Sequence, residues 1–300
     1  MPSLRSRLLV AFLRVTRRKR IYSSIEALHE GIYKVRLQGP ARPTPEMMGS
    51  VIVEREALKD IEVYRLSPHV KPSMVIPVLY LHGGAYVRPI TSFHWRFLRS
   101  LVEQTGCTFI VPLYPLAPEA NCASAVETVR NVYLSECARA GVESLAVMGD
   151  SAGGGLALGL CYALRQKAFP LPRSLTLICP WVDVTMTNTS IALFEKSDPM
   201  LATVGTKEAG RLYAGDLGVR HCYVSPLYGE PSDFPPILLF AGTNDISHYD
   251  ALLFAEKARA AGSAVDLQIG EEMIHVWPIL PIPEGKKAQA EIARHLLAVL

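Results

Sequence analysis

The 300-residue chain is 49% hydrophobic and carries a formal net charge of +3, so it can bury a sizeable core, and its near-neutral balance does not favour a nucleic-acid or acidic-polymer partner. Its six cysteines form neither a CxxC pair nor a zinc-type spacing, and three of them lie in apolar runs, which favours buried thiols in a reduced, cytoplasmic protein. The sequence predicts no metal site.

The first predicted element is an amphipathic helix near the start of the chain. One face of this helix holds the apolar residues Leu4, Leu8, Phe12 and Val15, and arginines occupy another face. The apolar run Leu8–Leu13 is too short for a secretory signal, and a membrane span needs about 20 apolar residues. We expect the apolar face to pack against the body of the protein. The alternative is a basic surface helix that touches anionic lipid.

Further along the chain, short apolar runs alternate with helical patterns. The predicted strands are Val75–Leu81, Thr108–Leu113, Leu145–Met148, Leu175–Cys179, Ile237–Ala241 and Val265–Ile269. The predicted helices are Phe97–Gln104, Ala125–Cys137, Leu156–Gln166, Ala251–Ala261 and Lys286–Val299. This alternation predicts an α/β fold with a mostly parallel sheet flanked by helices. Right-handed crossovers then bring the carboxyl ends of the strands to one edge, where ligands bind.

Two segments lack this alternation. Residues 1–50 contain no clear strand, and residues 182–229 have scattered polar residues and a helical patch near Lys207–Ala214. Both could cover the ligand edge of the sheet as a lid. We therefore predict a core made of residues 51–181 and 230–300, and a helical cap made of residues 1–50 and 182–229.

One serine lies in a glycine-rich turn between a predicted strand and a predicted helix. The stretch Gly149-Asp150-Ser151-Ala152-Gly153 fits G-x-S-x-G, which is typical of a nucleophile on a sharp strand-to-helix turn. The two glycines would let the strand and the helix approach closely. A phosphate-binding loop is the alternative, but the G-x-G-x-x-G spacing and the P-loop lysine are missing. The pattern indicates a reactive serine at the ligand edge.

A serine hydroxyl needs a base and an orienting carboxylate to act as a nucleophile at neutral pH. On such a turn, the acid and then the base follow the serine along the chain. Asp245 leaves the strand Ile237–Ala241 at the same edge as Ser151, and His275 follows the last predicted strand. We therefore predict a triad of Ser151, His275 and Asp245.

Other acids and histidines fit these roles less well. Asp250 lies where a predicted helix begins, so we expect it in the first helical turn. His248 shares the loop of Asp245, and His295 lies in the last predicted helix.

Backbone N–H donors for a developing oxyanion are expected in the loop after the first predicted strand. That loop, residues 82–86, reads H-G-G-A-Y, and its glycines leave the N–H groups accessible. We predict that the N–H groups of Gly83, Gly84 and Ala152 form an oxyanion hole.

With these motifs, the chain from about Val75 onward resembles the hormone-sensitive-lipase-like branch of the α/β-hydrolases, the bacterial family IV esterases. The resemblance is carried by His82–Tyr86, Tyr114–Glu119, Gly149–Gly154, Gly242–Asp245 and Met273–His275. It implies the same triad and oxyanion hole, and a lid made from the N-terminal region and the segment after Trp181.

The resemblance implies a serine esterase that cleaves carboxylic esters of short to medium acyl chain through an acyl-serine intermediate. It implies a small-molecule ester substrate, no cofactor and often a homodimer. Two alternatives stay open: a membrane-surface lipase for longer acyl chains that uses the first helix as an anchor, and an amidase or carbamate hydrolase with the same triad. A non-enzymatic binding protein is disfavoured because His275 is present.

Two motifs depart from the family pattern. Many members have a third glycine where this chain has Ala85, whose side chain restricts φ, and this argues against a donor role for residue 85. Many members also read H-G-F where this chain has His275, Val276 and Trp277, a change that we expect to affect the pocket wall more than the chemistry. The candidates for the substrate pocket are His82, Tyr86, Asp150 and Trp277. For Tyr86, ordinary packing is an equal alternative. For Asp150, we prefer a role as a support of the site.

Overall fold

A mixed β-sheet organises the chain in the computed structural model, which describes residues 1–58, 61–70 and 77–299. Eight strands are found in these ranges: β1 (Ile52–Leu58), β2 (Ile61–Ser67), β3 (Val78–Leu81), β4 (Phe109–Pro112), β5 (Ala146–Asp150), β6 (Ser174–Ile178), β7 (Ile237–Asn244) and β8 (Val265–Ile274). Their order is β1-β2-β4-β3-β5-β6-β7-β8. Strands β3 to β8 are parallel, whereas β1 and β2 add an antiparallel edge. The mostly parallel α/β fold is confirmed.

Helices cover both faces of this sheet. In chain order they are α1 (Leu4–Val15), α2 (Ile25–Gln38), α3 (Pro45–Met48), α4 (Ser92–Thr105), α5 (Cys122–Ala140), α6 (Ala152–Gln166), α7 (Ile191–Glu195), α8 (Thr203–Ala214), α9 (His248–Ala260) and α10 (Pro283–Ala298). Alternate strand residues belong to two separate apolar clusters. Leu79 and Leu81 pack with α5, α6 and α9, while Val78 and Tyr80 pack with α4 and α10. A strand buried on both faces needs the continuous apolar runs that the sequence contains.

The predicted strands are present, although residues 75 and 76 of the first one lie outside the described residues. Strands β1 and β2 were missed. Strand β1 is an edge strand that carries charges at residues 54–56 and alternates between exposed and half-buried positions, so it lacks the apolar run used to find the others. The predicted helices are also present, and Asn121 caps the start of α5 by accepting a hydrogen bond from the Ser124 N–H at 3.2 Å.

The first helix, α1, turns the opposite face to the protein from the one we expected. Leu4, Leu8, Phe12 and Val15 are 60 to 81% exposed. The packed face consists of the buried Ser6 and the half-buried Leu9, Val10 and Leu13. The expectation that the first set packs is therefore wrong. The run Leu8–Leu13 is apolar on two sides, so its pattern alone does not decide which side packs. Ser3 donates to Glu284 at 2.9 Å and ties the start of the helix to α10.

The segments 1–50 and 182–229 contact each other beside the sheet. His29 of α2 lies 3.2 Å from Glu208 of α8, and Gly205 of α8 lies so close to the Tyr22 backbone that a Cβ atom there would collide with it. No helix within the described ranges is both long enough and apolar enough to cross a membrane.

Candidate active site

Ser151 lies on the sharp turn between β5 and α6, with φ +52° and ψ −120°. Its N–H donates to Ile178 O of β6 at 2.8 Å, which fixes the turn to the neighbouring strand. The flanking glycines are required by space, because a Cβ atom at Gly149 would overlap the carbonyl of Gly153, and one at Gly153 would overlap the carbonyl of Leu81. The turn therefore holds a left-handed serine at the carboxyl edge of the sheet.

The structure brings Ser151, His275 and Asp245 together from the ends of β5, β8 and β7. The Ser151 hydroxyl donates to Nε2 of His275 at 2.7 Å, and the Nδ1–H of His275 donates to Oδ2 of Asp245 at 2.7 Å. This assignment of protons follows from Asp245, which can only accept when ionised. The other carboxylate oxygen of Asp245 accepts from the N–H and the hydroxyl of Ser247, both at 2.8 Å.

Burial and charge set the proton affinities of the pair. Burial alone would lower the pKa of His275, but the facing Asp245 carboxylate outweighs it, and the pKa of His275 is raised. Burial alone would raise the pKa of Asp245, but the imidazole and the Ser247 donors outweigh it, and the pKa of Asp245 is lowered. Asp245 is thus kept ionised beside a histidine of increased basicity, which suits a general base.

A second buried carboxylate, Asp198, lies beside this pair and was not among the residues predicted for the site. Its Oδ1 accepts from the N–H groups of Met200 at 2.7 Å and Leu201 at 2.9 Å, and its Oδ2 accepts from the N–H of Ile246 at 3.2 Å. Burial and the nearby charge of Asp245 raise the pKa of Asp198 to about 6. The pair Asp198-Pro199 signals a turn, but its proximity to the triad depends on the fold of residues 182–229.

The loop of residues 82–86 lies against the nucleophile turn, since a Cβ atom at Gly83 would be 3.0 Å from the Ser151 Cβ. The N–H of Gly83, however, donates to Oδ1 of Asp150 at 2.9 Å. The structure therefore does not favour Gly83 as an oxyanion donor, because its N–H already has an acceptor inside the protein. Among the described residues, no protein atom accepts from the N–H groups of Gly84, Ala85 or Ala152.

The loop backbone is left-handed at three consecutive residues. Gly84 has φ +126°, Ala85 has φ +53° and Tyr86 has φ +61°. Ala85 thus adopts the conformation that we expected its side chain to disfavour. Two more strained residues adjoin the site: Cys179 at φ +45° and Val276 at φ +52°. Such outliers persist only where the surrounding structure imposes them.

Asp150 lies behind the loop. Besides Gly83, its Oδ1 accepts from the Tyr80 hydroxyl at 2.5 Å, and its Oδ2 lies 3.5 Å from Nε2 of His94. Burial alone would raise the pKa of Asp150, but His94 and these hydrogen bonds outweigh it, and the pKa is lowered. The position favours a role as a support of the loop over direct contact with a substrate.

The other three pocket candidates are all buried. His82 stacks on Tyr114 at 4.5 Å and borders a 460 Å³ cavity next to α2. Burial, with a smaller contribution from His94, lowers the pKa of His82 to about 4, so His82 is neutral. Tyr86 is fully buried, with its ring stacked on Tyr213 of α8 at 3.5 Å, which favours packing. Trp277 packs edge-on against Phe240 at 5.7 Å.

One set of described residues could hold a cation: donor atoms of Cys179, Asp245 and His275 lie within 4.8 Å of one another. Two of these donors are already bonded to each other in the triad. Burial and the adjacent Asp245 raise the pKa of the Cys179 thiol, which keeps it neutral. Asp250 lies in the first turn of α9, as predicted, and bonds to Asn188 at 2.7 Å.

Comparison with known proteins places this geometry in context. Residues 78–279 match a family model described as alpha/beta hydrolase fold. An acetyl-hydrolase from Streptomyces hygroscopicus is 32% identical over 218 residues, which cover 70% of this chain and 72% of that protein. A triacylglycerol lipase from Mycobacterium tuberculosis is 32% identical over 220 residues, and the chain spans only 46% of its length. The solved structure of an esterase from the bacterial hormone-sensitive lipase family has a TM-score of 0.84, with 28% identity over 99% of both chains.

Proposed function

Since the chain belongs to the α/β-hydrolase family, in its hormone-sensitive-lipase-like branch, we propose that it hydrolyses carboxylic esters at Ser151. The observation that carries this proposal is the pair of 2.7 Å hydrogen bonds that joins Ser151 to His275 and His275 to Asp245. This arrangement of nucleophile, base and orienting acid defines serine acyl transfer.

The reaction proceeds in two halves. Ser151 Oγ attacks the ester carbonyl carbon while its proton passes to Nε2 of His275, and Asp245 stabilises the imidazolium that forms. His275 then gives this proton to the leaving alkoxide oxygen, and an acyl-serine remains. Water attacks the acyl-serine, losing its proton to His275, and the acid leaves when that proton returns to Ser151 Oγ.

The oxyanion of each tetrahedral intermediate is bound by the N–H groups of Gly84, Ala85 and Ala152. These groups have no acceptor among the described residues, whereas Gly83 is held by Asp150. Ala152 is also the first residue of α6, where the helix N-terminus favours negative charge.

Residues 1–50 and 182–229 form the cap over this site. The substrates of the enzyme are small esters of short to medium acyl chain. The length limit is supported by the similarity to an acetyl-hydrolase, whose printed name indicates a short acyl group. A cytoplasmic location is supported by the six cysteines, which are all free thiols.

The test is hydrolysis of p-nitrophenyl esters from acetate to decanoate by the wild type and by Ser151→Ala. We expect Ser151→Ala to lose activity by a factor on the order of 10⁴ or more. Ser100→Ala is the matched control, because Ser100 lies on α4 and bonds Gln289 at 3.0 Å. Hydrolysis undiminished in Ser151→Ala would refute the proposal. Equal cleavage of the corresponding anilides would favour an amidase.

A further inference from the structure

The exposed ridge of α1, formed by Leu4, Leu8, Phe12 and Val15, is an unusual surface. Each of these side chains is at least 60% exposed, and Val15 is 81% exposed. They lie one turn apart on the side of α1 opposite the packed Ser6 and Leu13. Single exposed apolar residues need no explanation, but a continuous ridge of four marks an interaction surface.

Cations surround this ridge. Residues 1–25 hold seven of the 31 basic residues and none of the 28 acidic ones, so the remaining residues carry a net charge of −4. On α1, Arg5 borders one side of the ridge, and Arg7 and Arg14 border the other. Within the described ranges, none of the seven forms an ion pair with a carboxylate.

The helix is also fixed to the body of the protein. Ser3 bonds to Glu284 at its start, and Lys19 donates to the carbonyl of Asp198 at 3.2 Å just after its end. The ridge is therefore presented outward on a firm support, and docking it would not require the helix to unfold or turn over.

We propose that α1 docks the protein onto an anionic lipid surface. The ridge enters the boundary between headgroups and acyl chains, and the arginines beside it contact lipid phosphates, with their aliphatic stems covering apolar surface. A second copy of the chain fits less well, because a symmetric contact would bring together two clusters of seven cations that have no carboxylate partner among the described residues. This inference does not depend on the proposed function.

The experiment is co-sedimentation of the full chain with large unilamellar vesicles of phosphatidylcholine, with and without phosphatidylglycerol. We expect binding to the anionic vesicles that weakens as salt is raised. Arg7→Gln/Arg14→Gln should lower the partition coefficient by about 25-fold, since each cation near such a surface contributes roughly fivefold. Leu8→Ser/Phe12→Ser should lower it by at least about tenfold.

Matched controls carry the same changes at exposed positions outside α1. These are Phe169→Ser/Leu297→Ser and Arg55→Gln/Arg294→Gln, and both should bind like the wild type. Thermal melts verify folding, and Ser151→Ala should bind fully, which separates this test from that of ester hydrolysis.

Three results would overturn the proposal. The first is equal binding to neutral and anionic vesicles, or none to either. The second is a loss in the controls as large as in the α1 variants. The third is a dimer, detected by sedimentation velocity without lipid, that Leu8→Ser/Phe12→Ser dissociates, which would make the ridge an interface between copies.

Discussion

The N–H of Gly83 donates to Oδ1 of Asp150 at 2.9 Å, and this bond joins the loop of the proposed oxyanion donors to the residue just before Ser151. The same oxygen accepts from Tyr80, and the other carboxylate oxygen faces His94 at 3.5 Å. Asp150 thus ties the loop of residues 82–86 to the turn that carries Ser151, the proposed nucleophile. A displacement of about 1 Å in such a site can cost about 10² in rate.

Asp150→Asn should therefore reduce kcat by about 10- to 100-fold with a small change in KM, because the amide loses the charge that orients the loop and His94. Tyr80→Phe removes one donor and leaves the Gly83 bond possible, so it should lose much less. Steady-state kinetics on p-nitrophenyl butyrate measures both. A kcat within threefold of the wild type for Asp150→Asn would show that the loop is positioned by other contacts.

The triad predicts a specific dependence of rate on pH. Ester hydrolysis needs neutral His275, whose pKa is raised because Asp245 outweighs the effect of burial, so activity should disappear as pH falls through that raised value. Asp245→Asn removes the carboxylate, so kcat should fall by about 10⁴ and the acidic limb of the profile should move to lower pH. A limb that stays in place would mean that Asp245 does not control His275.

Asp198 should shift the same limb by a smaller amount. Its charge also favours protonated His275, so Asp198→Asn should lower the pKa of His275 and extend activity to more acidic pH. The control is Asp250→Asn, a buried carboxyl whose pKa is likewise raised to about 6 by burial but which bonds Asn188. Profiles of kcat/KM against pH measure the position of the acidic limb in each variant. Equal shifts in both variants would contradict a specific role for Asp198.

Ala85→Gly should keep the rate within about threefold. The left-handed backbone at φ +53° costs alanine about 1–2 kcal/mol, which glycine does not incur, while loss of the buried methyl group costs about 0.8 kcal/mol. The free energy of unfolding should therefore be unchanged or slightly higher. Ala85→Val should lower it by more than about 1 kcal/mol, and thermal melts that rank the two variants the other way would exclude strain at this residue.

Tyr86→Phe distinguishes packing from substrate contact. The Tyr86 hydroxyl is buried without a hydrogen-bond partner among the described residues, so its removal should raise the free energy of unfolding by about 1 kcal/mol. KM for p-nitrophenyl butyrate should not change. A tenfold increase in KM would instead indicate that the hydroxyl binds the substrate.

Local sequence patterns were sufficient to predict features that depend on a single strand or helix. The buried strands appear as apolar runs, and the positions of Ser151, Asp245 and His275 follow from the ends of three of them. Strand β1 was missed because an edge strand needs no continuous apolar run.

Features that depend on tertiary contacts could not be predicted from such local patterns. The hydrogen bond from Gly83 to Asp150, which argues against the donor role expected of Gly83, is one such contact. Asp198 likewise reaches the triad only through the folded segment around it. The packed face of α1 was misassigned because two sides of that helix are apolar.

Ten non-glycine residues in the described chain have a positive φ, and half of them adjoin the reacting groups: Ala85, Tyr86, Ser151, Cys179 and Val276. Selection for heat resistance could relax the backbone at these five positions, but each such change lies next to the atoms that must align for the reaction. Arg17, Ala168 and Asp233 are exposed and left-handed elsewhere, so they offer the same relief without disturbing turnover.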